Sequence, residues 1–303
     1  MIKSLDRRRY KTGGSDKYYV DCSNYAENAD DIHIDGILKE TTDVSVLRAV
    51  ATDDTIRRKH RHIVVKIDRA NRTNRKEYDI GERLFRMRIP GFMRYVCVFP
   101  CFDAAPHQES GRICRAEPSE KNEKDVLVMP YLSEGSLAGH TWDESNVLLL
   151  KSLLVQTVMS ALIAYTTLGF VHNDLHLDNV LLRRTKKMTL DYHVGGKQYS
   201  VATWGYKTVI TDFGNSMVSV HAKDQRFFWY DLLNVFSRIN LDLPLSHGRK
   251  IVWEDDRVIA FVKRGRDINA SPLQAVHLID IISQTVFRYD AVPSTTYDPH
   301  VYG

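Results

Sequence analysis

Cysteine is scarce in this 303-residue chain: Cys22, Cys97, Cys101 and Cys114 are all there is, too few and too scattered for a disulfide scaffold. No CxxC pair or His/Cys ladder is present, which argues against the usual zinc sites. The opening MIKSLDRRRY lacks the apolar core of a secretory signal. These absences lead to the expectation of a reducing, intracellular setting, in cytoplasm or nucleus. A strong charge of one sign is also missing. The net charge of +4 favours acidic partners only weakly. The basic runs DRRRYK at 6–11 and RRKHRH at 57–62 read first as solvated loops, with phosphate or nucleic-acid contact as the weaker reading.

What is present is ordinary for a folded chain, with 43% apolar and 26% charged residues. The length suffices for two domains or one bilobal unit. The uncharged run between Lys151 and His172 matches the ~20 residues a bilayer requires. It is interrupted by Ser152, Gln156, Thr157, Ser160, Thr166 and Thr167 and meets HNDLHLDN without an aromatic or basic anchor. A core helix is therefore expected, and no membrane contact.

The pattern along the chain is that of an α+β protein. Residues 1–30 show no period and read as an irregular arm. From 31 to 129 short strands (DIHIDGIL, DVSVLRAV, HIVVKI, RYVCVF, DVLVMPYL) surround one helix, NRKEYDIGERLFRMRI, expected to stop at Pro90 and Gly91. Residues 130–137 read as a joint. From 138 to 303 long helices are expected at 144–168, 225–240 and 272–288. A β-hairpin around Gly195-Gly196 is expected at about 188–204.

The chemistry-bearing stretch is GFVHNDLHLDNVLL at 170–183. His172, Asp174, Leu175 and Asn179 fit the template H-R-D-L-x-x-x-N, and Asp212, Phe213 and Gly214 form a D-F-G after the strand-like VIT. A polar loop whose Asp and Asn side chains make local turns would explain either alone. In this order on one chain they resemble the protein kinase superfamily, which implies a bilobal kinase-like fold, ATP and Mg²⁺, and protein substrates.

By that resemblance Asp174 is the catalytic base, Asn179 and Asp212 hold Mg²⁺, and His172 is structural. Lys66 in IVVKI is similar to the strand lysine that grips the nucleotide phosphates. Two glutamates compete to pair with it. At 100° per residue Glu77 borders the face carrying Ile80, Leu84 and Met87, whereas Glu82 points off it, so Glu77 is chosen. Met129 resembles the gatekeeper, with the backbone of Pro130 and Leu132 meeting adenine; proline keeps its carbonyl as an acceptor. Phosphoryl transfer needs these groups because it is catalysed mainly by positioning and charge neutralisation.

The departures are as specific as the matches. Where the family has its glycine-rich loop, this chain has GILKETTDVSVLRAV, with Gly36, Ser45 and Val46 in the matching places. Without close-approaching glycines the phosphate clamp must be shaped differently. Asn173 stands for the template arginine, which in switched kinases pairs with an activation-loop phosphate, so such control is not expected. His176, the insert before Asp212 and the missing A-P-E resemble haspin-type kinases and those of large DNA viruses, and the HxDLH run also resembles aminoglycoside and choline kinases. Asp231 resembles the helix aspartate that ties down the catalytic loop. The expected function is a serine/threonine protein kinase of a host cell, with virion association a further possibility from the viral resemblance. A small-molecule phosphotransferase and a pseudokinase binding module remain as alternatives.

Overall fold

The computed structural model describes residues 32–52, 57, 60–68, 73–102, 123–143, 145–219, 224–239, 251–253, 257–284 and 287–289. The arm expected at 1–30 lies outside them. Its N-terminal half is a five-stranded antiparallel sheet in the order β1-β2-β3-β5-β4, with β1 Ile32–Glu40, β2 Val44–Ala51, β3 His62–Asp68, β4 Cys97–Phe102 and β5 Glu123–Pro130. β2 alternates strictly, burying Ser45, Leu47, Ala49 and Ala51. β3 sits in the middle and is buried on both faces, which is why it reads as an unbroken β-branched run. Ile63, Val65 and Ile67 join a cluster on one face with Leu47, Val126 and Val128. Val64 joins the main core on the other face.

Helix α1, Asn74–Arg86, packs on that second face. Its start is pinned to the sheet: Asn74 Nδ2 donates to the carbonyls of Lys66 (2.9 Å) and Asp125 (2.7 Å). Asp68 accepts from both the N–H and the hydroxyl of Thr73. The helix buries Glu77, Ile80, Gly81 and Leu84. It ends before Pro90, with Arg88 at φ 56°, so Met87 leaves the helical face expected for it and is 52% exposed.

The rest of the chain is mainly helical. Helix α2, Val147–Leu168, is long and apolar enough to cross a membrane by composition, yet 72% of its most apolar window is buried inside the fold. Its buried Gln156 explains a polar residue in that run: it accepts from the Thr208 N–H (2.9 Å) and donates to the Tyr206 carbonyl (3.3 Å). Gly169 ends α2 at φ 61°, where a Cβ would collide with the Ser219 carbonyl.

After β6, Phe170–Val171, come β7 Val180–Arg184, a hairpin of β8 Thr189–Val194 and β9 Lys197–Ala202, then β10 Tyr206–Ile210 paired to β7. Gly195 and Gly196 both have positive φ (56° and 77°), as a tight primed turn requires. β11, Met217–Val218, pairs with β6.

Two helix expectations are corrected. The helix read at 225–240 is α3, Arg226–Ser237, shorter at its C-terminal end. The helix read at 272–288 is broken into a 3-10 turn at Pro272–Val276, helix α5 at His277–Gln284 and a strand at Phe287–Tyr289, which pairs with Ile251–Trp253. Proline at the turn's first position permits the tight start. Helix α4, Arg257–Asp267, was not foreseen. Its Gly265 lies flat on Trp229, leaving no room for a Cβ. That packing is a tertiary fact invisible to periodicity.

The cysteines are too few and too scattered for a disulfide scaffold, yet two of them are bonded. Cys97 and Cys101 are both buried and disulfide-bonded. They share one regularly paired strand, β4, four residues apart, which separates them by ~13 Å. That is too far for the two to bond each other.

Candidate active site

Three charged side chains from three distant segments meet at one point. Lys66 Nζ, from β3, donates to Glu77 Oε2 of α1 at 2.7 Å and to Asp212 Oδ1 at 2.6 Å. Burial by itself would lower the Lys66 ammonium, but Glu77 and then Asp212 outweigh it and hold the pKa above the ordinary lysine range. Asp212 would likewise be raised by burial, and Lys66 holds its carboxyl below the ordinary range. Lys66 is thus a fixed cation. Glu82 takes no part and instead lies 3.7 Å from Arg86.

Asp212 is in the left-handed region (φ 67°), uncommon for a residue other than glycine. The following Phe213 holds it there, fully buried among Phe92, Tyr95, Phe170 and His172 with ring centroids 5.5–6.0 Å away. Burial of one aromatic ring therefore fixes the adjacent carboxylate.

The loop 172–179 is braced from below. Asp231 of α3 accepts from the His172 N–H at 2.6 Å, and the N–H groups of Asn173 and Leu175 also donate to it. Burial still pushes its carboxyl up to about 7. His172 is buried; an Nε2–H donates to the Thr211 carbonyl at 2.8 Å, and burial lowers its pKa, so the ring stays neutral. Asn173 has φ 63° and donates from Nδ2 to the Asn215 carbonyl. Asparagine tolerates that conformation better than arginine does, which accounts for this departure locally.

Asp174 has 46% of its side chain exposed, with His176 Nε2 3.9 Å from its Oδ1. Its carbonyl accepts from the His176 N–H and from Asn179 Nδ2 (2.9 Å). That leaves Asn179 Oδ1 and Asp212 Oδ2 without a hydrogen bond among the described residues. Two oxygens of this kind suit a hard divalent cation whose remaining ligands are phosphate and water. Among the described residues no group of three or more His, Cys, Asp or Glu could hold a metal.

The other residues singled out by sequence are placed as follows. Val46 lies on the same sheet face as Lys66, directly across from it in the β2–β3 ladder. Ser45 faces the opposite side and is buried there, so its side chain does not reach the cleft: strand alternation separates the two. Gly36 lies at a bulge of β1 opposite Arg48, whose guanidinium fills the space beside it; it forms no phosphate nest. The turn that follows is closed by Thr41, which exchanges bonds with Val44. Met129 is buried at the end of β5, followed by Pro130. The Leu132 carbonyl accepts from the Gly135 N–H (3.1 Å).

One residue of the site was missed by sequence reasoning. The Tyr95 hydroxyl donates to Glu77 Oε1 at 2.5 Å in a buried setting. Gly81 on α1 leaves room for the Tyr95 ring, since a Cβ there would stand 2.5 Å from it. No local pattern marks Tyr95; only the fold brings it beside Glu77.

No family model matches the chain. It is 34% identical over 101 residues to the serine/threonine-protein kinase haspin homolog of Arabidopsis thaliana, covering 33% of this chain and 17% of that protein. With the haspin kinase of Bos taurus it shares 39% over 69 residues, 23% of this chain and 9% of the relative. With the uncharacterized protein 098R of Invertebrate iridescent virus 6 it shares 37% over 78 residues, 24% of this chain and 13% of that protein. The matches thus span under a fifth of these relatives' lengths. They support a protein-kinase-like family, and the mixed fold, sheet first and helices later, is compatible with it.

Proposed function

We propose that the chain is an ATP- and Mg²⁺-dependent serine/threonine protein kinase that acts without activation-loop phosphorylation, built as a small lobe at 31–129, a hinge at 130–137 and a larger lobe at 138–303. The observation that carries this reading is the convergence of Lys66, Glu77 and Asp212 beside Asp174 and Asn179.

In this reading Lys66, kept charged, meets the nucleotide phosphates, and Glu77, anchored by Tyr95, fixes where the ammonium points. Bound Mg²⁺ neutralises phosphate charge; Asp212 Oδ2 and Asn179 Oδ1 would hold it. Asp174 orients the substrate hydroxyl and takes its proton, which its exposure permits. His172 and Asp231 position the loop without touching substrate. Val46 packs on adenine, Met129 is the gatekeeper, and the backbone of Pro130 and Leu132 meets the adenine edge. Protein hydroxyls are the acceptors, as the haspin matches suggest, and a host-cell cytoplasm or nucleus is the proposed setting.

The test is transfer of label from ATP to basic protein mixtures, beside a panel of aminoglycosides and choline, with Asp174→Asn as control. Label in protein, absent with Asp174→Asn, supports the reading. Label in the small molecules alone replaces it with a small-molecule phosphotransferase. No label despite ATP binding makes the chain a pseudokinase.

A further inference from the structure

One cavity is lined by none of Lys66, Glu77, Asp174, Asn179 and Asp212. Its volume of about 400 Å³ is in the range of small-ligand sites. Pro130 and Leu132 form part of the wall, and His60, Arg94, Arg183 and Lys207 bring four basic side chains to it; no acidic residue lines it.

Two of those cations are placed at a cost. Arg183 of β7 and Lys207 of β10 are direct cross-strand partners, and like charges in that relation destabilise a sheet. The next pair along shows the usual remedy: Arg184 bonds Glu134 at 2.9 Å and lies over the Tyr206 ring. Arg183 and Lys207 have no acidic partner among the described residues. Lys207 is only partly exposed, and burial, followed by the charges of Arg183 and Lys187, depresses its ammonium. An anion in the cavity would relieve both strains at once.

We propose that this cavity binds a small polyanion carrying phosphate groups, seated against Arg183 and Lys207. The cavity is walled both by Arg94, just before β4, and by β7 and β10 of the helical half. Occupancy therefore fastens the sheet to the helical half beside Pro130 and Leu132, and ligand binding there is linked to nucleotide affinity.

The probe is inorganic tripolyphosphate, titrated into the full chain without metal at constant ionic strength and followed by melting temperature and calorimetry. Saturable stabilisation is expected. It should persist in Lys66→Ala, which removes the response to Mg·ATP. In the Arg183→Ser/Lys207→Ser double variant the apparent Kd should rise by about tenfold or more while the Mg·ATP response remains. Lys207→Gln alone, which keeps the packed stem, should shift Kd in the same direction if the double variant folds poorly. The proposal is overturned if these variants bind tripolyphosphate as wild type does, if Lys66→Ala abolishes the response, or if chloride at matched ionic strength reproduces it. Because Lys66→Ala separates the two sites, loss of kinase activity as a reading would leave this test intact.

Discussion

The loop 172–179 and the β1–β2 hairpin both serve the proposed nucleotide site, and they are fastened by different means. The loop is held from beneath by buried groups: Asp231 gathers three backbone N–H groups, His172 bonds the Thr211 carbonyl, and Phe213 is enclosed by aromatic rings. The hairpin is held at its edge by Asp35–Arg48 and the Thr41 turn, both exposed. Buried, mutually satisfied polar groups are costly to disturb, whereas exposed pairs contribute little. The contrast locates where this molecule keeps its precision: in the loop that carries Asp174 and Asn179, the residues of the proposed chemistry. On the hairpin, the roof of the proposed site, Lys39 contributes the least of the charges that hold Asp212 below its usual range.

Five measurements put that contrast at risk. The largest effect is expected from Asp174→Asn, which should lower phosphoryl transfer by about 10²–10⁴-fold while leaving the melting temperature unchanged. A matching loss of stability would mean that Asp174 belongs to the scaffold. Next, Asp231→Ala removes the acceptor of three buried N–H groups and should cost at least about 3 kcal/mol in denaturant unfolding, with activity lost in parallel. A variant as stable as wild type would show that the loop does not depend on α3.

Tyr95→Phe frees Glu77 of a hydrogen bond to a charged group, worth about 1.5–3 kcal/mol. Activity should fall while ATP still binds, and the measurement is kcat alongside an ATP-dependent thermal shift. If kcat is untouched, Glu77 is positioned by Lys66 alone.

Acid sensitivity tests the braced loop differently. His172 has a depressed pKa in the fold and an ordinary value near 6.5 when unfolded. Its contribution to stability is therefore complete above about 6.5 and is lost as pH falls below that. Asp231, raised to about 7, has the opposite sign: its contribution is complete below the ordinary aspartate value and fades as pH rises towards 7. His172→Gln, which can still donate to the Thr211 carbonyl, removes only the first. The difference in melting temperature between variant and wild type should move in the variant's favour from pH 7 to pH 5, and a pH-independent difference would contradict a neutral buried ring. The smallest effect is expected on the roof. Lys39→Met should raise KM for ATP by no more than about tenfold with kcat unchanged. A collapse of kcat would place the roof on a par with the floor.

Much of the site was legible because its spacing is local. The helical angle separates Glu77 from Glu82, the H-x-D-L-x-x-x-N run delivers Asp174 and Asn179 together, and Gly195-Gly196 announces the hairpin. Strand alternation could also have separated Ser45 from Val46, and the period-2 pattern of β2 was there to be read. Tyr95, the flat approach of Gly265 to Trp229 and the bonded state of Cys97 and Cys101 left no local mark. The first two depend on a partner well separated along the chain.

Backbone periodicity and short-range spacing were enough to set the order of the N-terminal strands and their helix, the core helix α2, the motif loop and the residue types the chemistry requires. Which charges share a point and which stand opposed emerged only when the chain folded. Lys66 meets two carboxylates, Glu77 and, 146 positions away, Asp212, while Arg183 and Lys207 face each other with no acidic partner among the described residues. Electrostatic energy depends on separation in space and on burial, and neither is written in separation along the chain.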